Sequence, residues 1–108
     1  MKNCFTETIS YLDQKYTLPE VWGKWTWSDL EKFVKHQSKF LARKDHYAFF
    51  ASFCKPVKNA KADDVLLWDR GVGVCINQFF YWTYDHTEAA VVTRKIERDA
   101  TIMRLNNE

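Results

Sequence analysis

The hydrophobic period of this chain changes partway along it. Up to about residue 54 the apolar residues recur at helical spacing, and from Val65 onward they alternate or run on as in strands. Segregation of that kind specifies an α+β fold, with N-terminal helices packed on one face of a C-terminal antiparallel sheet. The 108 residues have room for one core. We therefore expect a single domain over 1–108, its helical part at about 3–54 and its sheet part at about 64–105.

Phe5, Ile9, Leu12 and Tyr16 share one face of a helix predicted over 3–16, which Thr17-Leu18-Pro19 ends. Residues 20–27 then carry three tryptophans, Trp22, Trp25 and Trp27. Ser28-Asp29-Leu30-Glu31 is a capping box, with Ser28 as N-cap and Glu31 reaching back. The helix it opens turns Leu30, Phe33, Val34, Gln37 and Leu41 inward, and Lys32, Lys35, Lys39 and Arg43 to solvent. Asp45 is placed to cap a short helix over 46–54, and Lys55 to Asp63 forms a polar connector. Strands are predicted at 65–68, over 72–83 with a break at Asn77-Gln78, at 89–94 and at 100–105. Turns are expected at Asp69-Arg70-Gly71 and Asp85-His86-Thr87.

The formal net charge of +2 gives no electrostatic case for nucleic acid as a partner. No apolar run reaches the ~20 residues that a membrane span needs, so no membrane partner is expected. The three cysteines, Cys4, Cys54 and Cys75, have no zinc-finger spacing, and no signal peptide opens the chain. Reduced thiols made in a reducing cytoplasm are the expectation. There is no Walker A, dinucleotide fingerprint, HExxH or EF-hand loop, and neither a metal nor a cofactor is expected. Asp63 and Asp64 are neighbours on opposite sides of an extended chain, a polar turn leading into a strand rather than a carboxylate pair.

Two segments resemble the small NlpC/P60-like proteins of bacteriophage tail gene clusters, a branch of the papain-like fold. In that branch a Trp precedes an Asp-Cys pair, and an aromatic follows three residues after the Cys. Here Trp25-Thr26-Trp27-Ser28-Asp29-Leu30-Glu31-Lys32-Phe33-Val34 keeps the Trp, the Asp and the Phe. The later family segment is Gly-Asp-Val, a Gly-rich turn, then a His opening a Val-Gly-Ile-like strand. It is matched by Asp63-Asp64-Val65-Leu66-Leu67-Trp68 and Arg70-Gly71-Val72-Gly73-Val74-Cys75-Ile76. The resemblance implies a minimal papain-like core. It places the nucleophile position on Leu30 and the catalytic His position on Gly73. Leucine cannot attack a carbonyl and glycine cannot activate a nucleophile, so the resemblance implies a scaffold without catalytic residues.

Three functions follow as expectations. The first is a non-catalytic structural or assembly component of a phage virion, tail or baseplate associated, made in the host cytoplasm. The second is a thiol-dependent hydrolase of peptidoglycan or another amide, with Cys75 or Cys54 as displaced nucleophile and His36, His46 or His86 as base. The third is a small phage inhibitor of a host protein. For the first, Trp22, Trp27, Phe79 and Tyr81 are the candidate partner-binding residues, since a monomer seldom exposes large rings without a use. The partners would be other virion proteins or a second copy of the chain.

Overall fold

The computed structural model describes residues 2–16, 18 and 43–106. The tryptophan-rich segment with Trp22, Trp25 and Trp27, the capping box at Ser28, the helix expected after it, Leu30 and His36 lie outside the described residues.

Helix α1 (Cys4–Tyr16) opens on a reciprocal cap. Asn3 Oδ1 accepts from the Thr6 N–H at 2.8 Å, and the Asn3 N–H donates to Thr6 Oγ1 at 3.1 Å. At its other end Asp13 Oδ1 accepts from the Leu18 N–H at 3.0 Å. Phe5, Ile9 and Leu12 are buried along one stripe, as their spacing predicts. Helix α2 (Arg43–Phe50) begins earlier than expected, with Asp45 inside its first turn rather than capping it. It also ends earlier, because residues 51–53 turn the chain into a strand that the sequence does not announce.

That strand, β1 (Cys54–Val57), carries Pro56 and lies at a sheet edge, the one place where a sheet tolerates proline. The remaining strands are β2 (Val65–Trp68), β3 (Gly71–Cys75), β4 (Phe80–Asp85), β5 (Ala90–Lys95) and β6 (Thr101–Leu105). They form one six-stranded sheet in the order β1-β6-β2-β3-β4-β5, with every pairing antiparallel. Strands β2 to β5 are a meander. The chain then returns, and β6 takes the place between β1 and β2. The breaks at Asp69-Arg70 and Asn77-Gln78 fall where the turn residues put them. The last turn runs over 86–89, one residue later than expected, because Asp85 still pairs with Ala90.

The two helices among the described residues pack on the same side of the sheet, α1 over β3 and β4 and α2 over β2. The core on this side joins Phe5, Ile9, Leu12, Phe49 and Phe50 to Val65, Leu67, Val72, Met103 and Leu105. Each such side chain contributes about 1.5–3 kcal/mol by leaving water. The other side of the sheet has a smaller core of Leu66, Cys75 and Tyr81. Ala60, from the connector after β1, and Ile96 and Ala100, from the connector before β6, pack on it. The architecture is α+β.

Candidate interaction site

The Asp63-Asp64 pair organises one end of the sheet. Asp63 has φ 72°, in the left-handed region that favours glycine. Its carboxylate ties α1 to the sheet. Tyr11 donates to Oδ1 at 2.6 Å, Tyr16 donates to Oδ2, and Lys15 Nζ lies 2.7 Å from Oδ2. Burial works to raise the Asp63 pKa, but the hydrogen bonds from Lys15, Tyr11 and Tyr16 and the Lys15 charge outweigh it and hold it below its ordinary value. The same hydrogen bond, with burial, raises the Tyr11 phenol. Asp64 points the other way and is buried. Arg104 grips it with two parallel bonds, Nε to Oδ1 at 2.8 Å and Nη2 to Oδ2 at 2.7 Å. The Lys61 N–H adds a third bond at 2.9 Å.

No imidazole can stand at Gly73. A Cβ built there would lie 2.5 Å from the Trp82 carbonyl oxygen and 2.9 Å from the Tyr81 ring. Gly73 is the central residue of β3, which opens on Gly71. There a Cβ would lie 2.2 Å from the Trp68 indole. The space over both glycines is occupied by neighbouring aromatics and backbone.

The displaced-nucleophile arrangement is not formed by the described residues. Gly73 and Cys75 do share a face, as their two-residue spacing requires, but it is the face away from the helices. His46 is buried on the helical side, its ring stacked 5.6 Å from Phe5. His86 is exposed in the turn after β4. Cys75 is level with Tyr81, and Asp85, next to His86, is four residues along β4, roughly 13 Å away at about 3.3 Å per residue. Burial, then the nearby Asp64 charge, pushes the Cys75 thiol up to about 12, and the same causes push Cys54 up to about 12. A thiol so placed stays protonated and is inert at neutral pH. Burial likewise lowers His46 to about 4. Among the described residues no group of three His, Cys, Asp or Glu side chains is placed to hold a metal ion. Among them, too, no helix is long and apolar enough to cross a membrane.

What the described residues do present is an aromatic tip. The hairpin between β3 and β4 is fixed by Asn77, whose Oδ1 accepts from the N–H groups of Phe79 at 2.8 Å and Phe80 at 3.0 Å. Ile76, Phe79 and Phe80 are exposed around this turn, Phe79 most of all at 56%. A groove of about 420 Å³ runs between the tip and the connector residues Ala60, Lys61 and Ala62. Phe79 is exposed, as a partner-binding residue must be. Tyr81 is not: it is 5% exposed and its ring packs 5.2 Å from Trp68. The alternation of the strand turns it onto the second face, and the connectors over that face bury it. Ile76 and Phe80 take its place at the surface. Nothing in the residue pattern marks those two as exposed, because either would suit a strand interior.

Comparisons of this chain with protein-family models, with curated proteins and with solved structures find no match.

Proposed function

We propose that this chain is a non-catalytic, NlpC/P60-like domain that serves as a structural or assembly component of a bacteriophage particle, in its tail or baseplate. The observation that carries the non-catalytic reading is the filled space over Gly73, where the resemblance calls for an imidazole. The inert thiols of Cys54 and Cys75 support it from a second direction. Two features of the second segment favour a papain-like core. Asp63 stands where the family motif has glycine, and its backbone has the conformation glycine adopts most readily. Asp64, matched to the motif's Asp, is a buried anchor for Arg104. The setting in a phage particle rests on the resemblance alone. The aromatic tip at Ile76, Phe79 and Phe80 supplies a surface for a neighbouring protein.

Quantitative mass spectrometry of purified particles tests the reading. The chain at a fixed, whole-number copy per particle is the expected result. Its absence from particles while abundant in infected cells would overturn the structural role and favour an inhibitor of a host protein. Release of peptidoglycan fragments by the purified chain would overturn the non-catalytic part.

A further inference from the structure

The two edges of the sheet differ in what they offer another strand. In an antiparallel pair, successive residues direct their backbone N–H and C=O alternately toward the partner and away from it. The bond from the Asn106 N–H to the Phe53 carbonyl sets this alternation for β1. Lys55 and Val57 face β6, while Cys54 and Pro56 face outward. Proline has no N–H, so the outer side of β1 is blocked. The bond from the Ile96 N–H to the Phe79 carbonyl sets the alternation for β5. Ala90, Val92 and Arg94 face β4, while Val91, Thr93 and Lys95 face outward. None of these is proline, β5 pairs without a bulge, and Val91 is 58% exposed. Among the described residues nothing pairs with this outer side.

We infer that β5 pairs with β5 of a second copy of this chain, antiparallel about a two-fold axis at Thr93, joining two six-stranded sheets into one continuous sheet. The sequence of the strand is complementary to itself in this register. Thr93 faces Thr93 of the copy, and Val91 faces Lys95 in both directions, so all three outward residues of each strand find partners. On the other face Val92 lies opposite Arg94. No two like charges are opposed. The ends match as well. The turn before β5 carries Glu88, whereas Lys95, Glu97 and Arg98 follow Thr93; Asp85 and Arg94 are already paired within the chain, 2.7 Å apart. The two-fold axis brings the acidic end of one strand to the basic end of the other. An antiparallel register shifted by one residue would set each outward residue opposite one whose N–H and C=O face its own sheet. The pairing holds whether or not the chain belongs to a particle.

Light scattering and sedimentation of the purified chain across micromolar to sub-millimolar concentrations test the pairing, together with two variants. Wild type is expected to move from monomer to dimer as concentration rises. Thr93→Pro removes only an outward N–H, so it is expected to raise the dimer dissociation constant on the order of tenfold or more while leaving circular dichroism and melting unchanged. Thr93→Cys is expected to form an interchain disulfide on mild oxidation, since the paired Cα atoms stand about 5.5 Å apart. Val91→Cys, with its two copies four residues apart across the register, is expected not to. A monomer at every concentration overturns the inference. So does a dimer that survives Thr93→Pro, or a disulfide that forms through Val91→Cys in preference to Thr93→Cys.

Discussion

The two faces of the sheet are held by different physics. On the helical face the core is apolar, and the Asp63 carboxylate ties α1 down only at one end. Phe5, Phe49 and Phe50 meet edge to face or tilted at 5.0–6.0 Å, above a floor of valine, leucine and methionine. On the opposite face only a few side chains are buried, and no helix among the described residues covers them. There the fold relies on a directed polar fixture, the fork of Arg104 on Asp64, with Arg104 Nη2 also bonded to the Asn59 carbonyl at 2.9 Å. A face with a large apolar area needs little directional bonding. A face covered by loops needs a fixture that fixes where the loops lie, because loops bury too little area to do so themselves.

This contrast predicts how each face fails. Phe50→Ala should be the most damaging change, at about 3–5 kcal/mol, since it empties a fully buried aromatic site between two helices. Chemical denaturation at neutral pH measures it. Arg104→Ala should cost about 3 kcal/mol, because it leaves the Asp64 carboxylate buried with a backbone N–H but no cation. Loss of equal size with Asp64 and Arg104 both replaced by apolar residues would mean that packing, not charge, holds the loops.

Acid should separate the faces by another route. Both ring nitrogens of His46 lack a hydrogen-bond partner among the described residues, and its pKa falls to about 4 from an ordinary 6.5. Between those two values the unfolded chain takes up a proton that the folded chain refuses. Stability that is full above pH 6.5 is therefore lost progressively toward pH 4, by about 3 kcal/mol. His46→Phe should flatten that part of a stability profile measured by thermal melts across pH. Asp63, whose pKa is depressed, adds a second loss at lower pH, as its carboxylate becomes protonated and its ties to α1 weaken. The smallest effect is Tyr11→Phe, at about 1 kcal/mol, because Lys15 and Tyr16 still hold Asp63. It should shift the low-pH loss and leave the His46 part of the profile unchanged.

The helical face was largely legible from the residues. Phe5, Ile9 and Leu12 announce their stripe, and the strand at 65–68 and the break at Asn77-Gln78 lie where alternation and turn chemistry put them. The second face was not. Its burial depends on where two connectors lie, and a connector has no period to read. Tyr81, expected at the surface, is buried for that reason, and the roles of Asp64 and Arg104, forty residues apart, leave no local trace. Strand β1 was hidden for a different cause. Four residues with a proline do not resemble a strand until a partner, β6, gives them one. At the candidate site, Phe79 could be anticipated from its place in an aromatic run, whereas Ile76 and Phe80 reach the surface only because Asn77 fixes the turn.

The position of β6 has a consequence for synthesis. The strand made last of the six lies inside the sheet, with β1 on one side of it and β2 on the other. Until Thr101–Leu105 has emerged from the ribosome, β1 has no neighbour among the described residues, and the β2–β5 meander has an open inner edge at β2. The nascent chain can draw α1 onto β3 and β4 early, but the sheet closes only when this late segment slots into the gap. Slow docking of this segment would therefore prolong a state in which the facing edges of β1 and β2 are both bare. That is the interval in which such a chain is most exposed to capture by a chaperone or by another nascent copy.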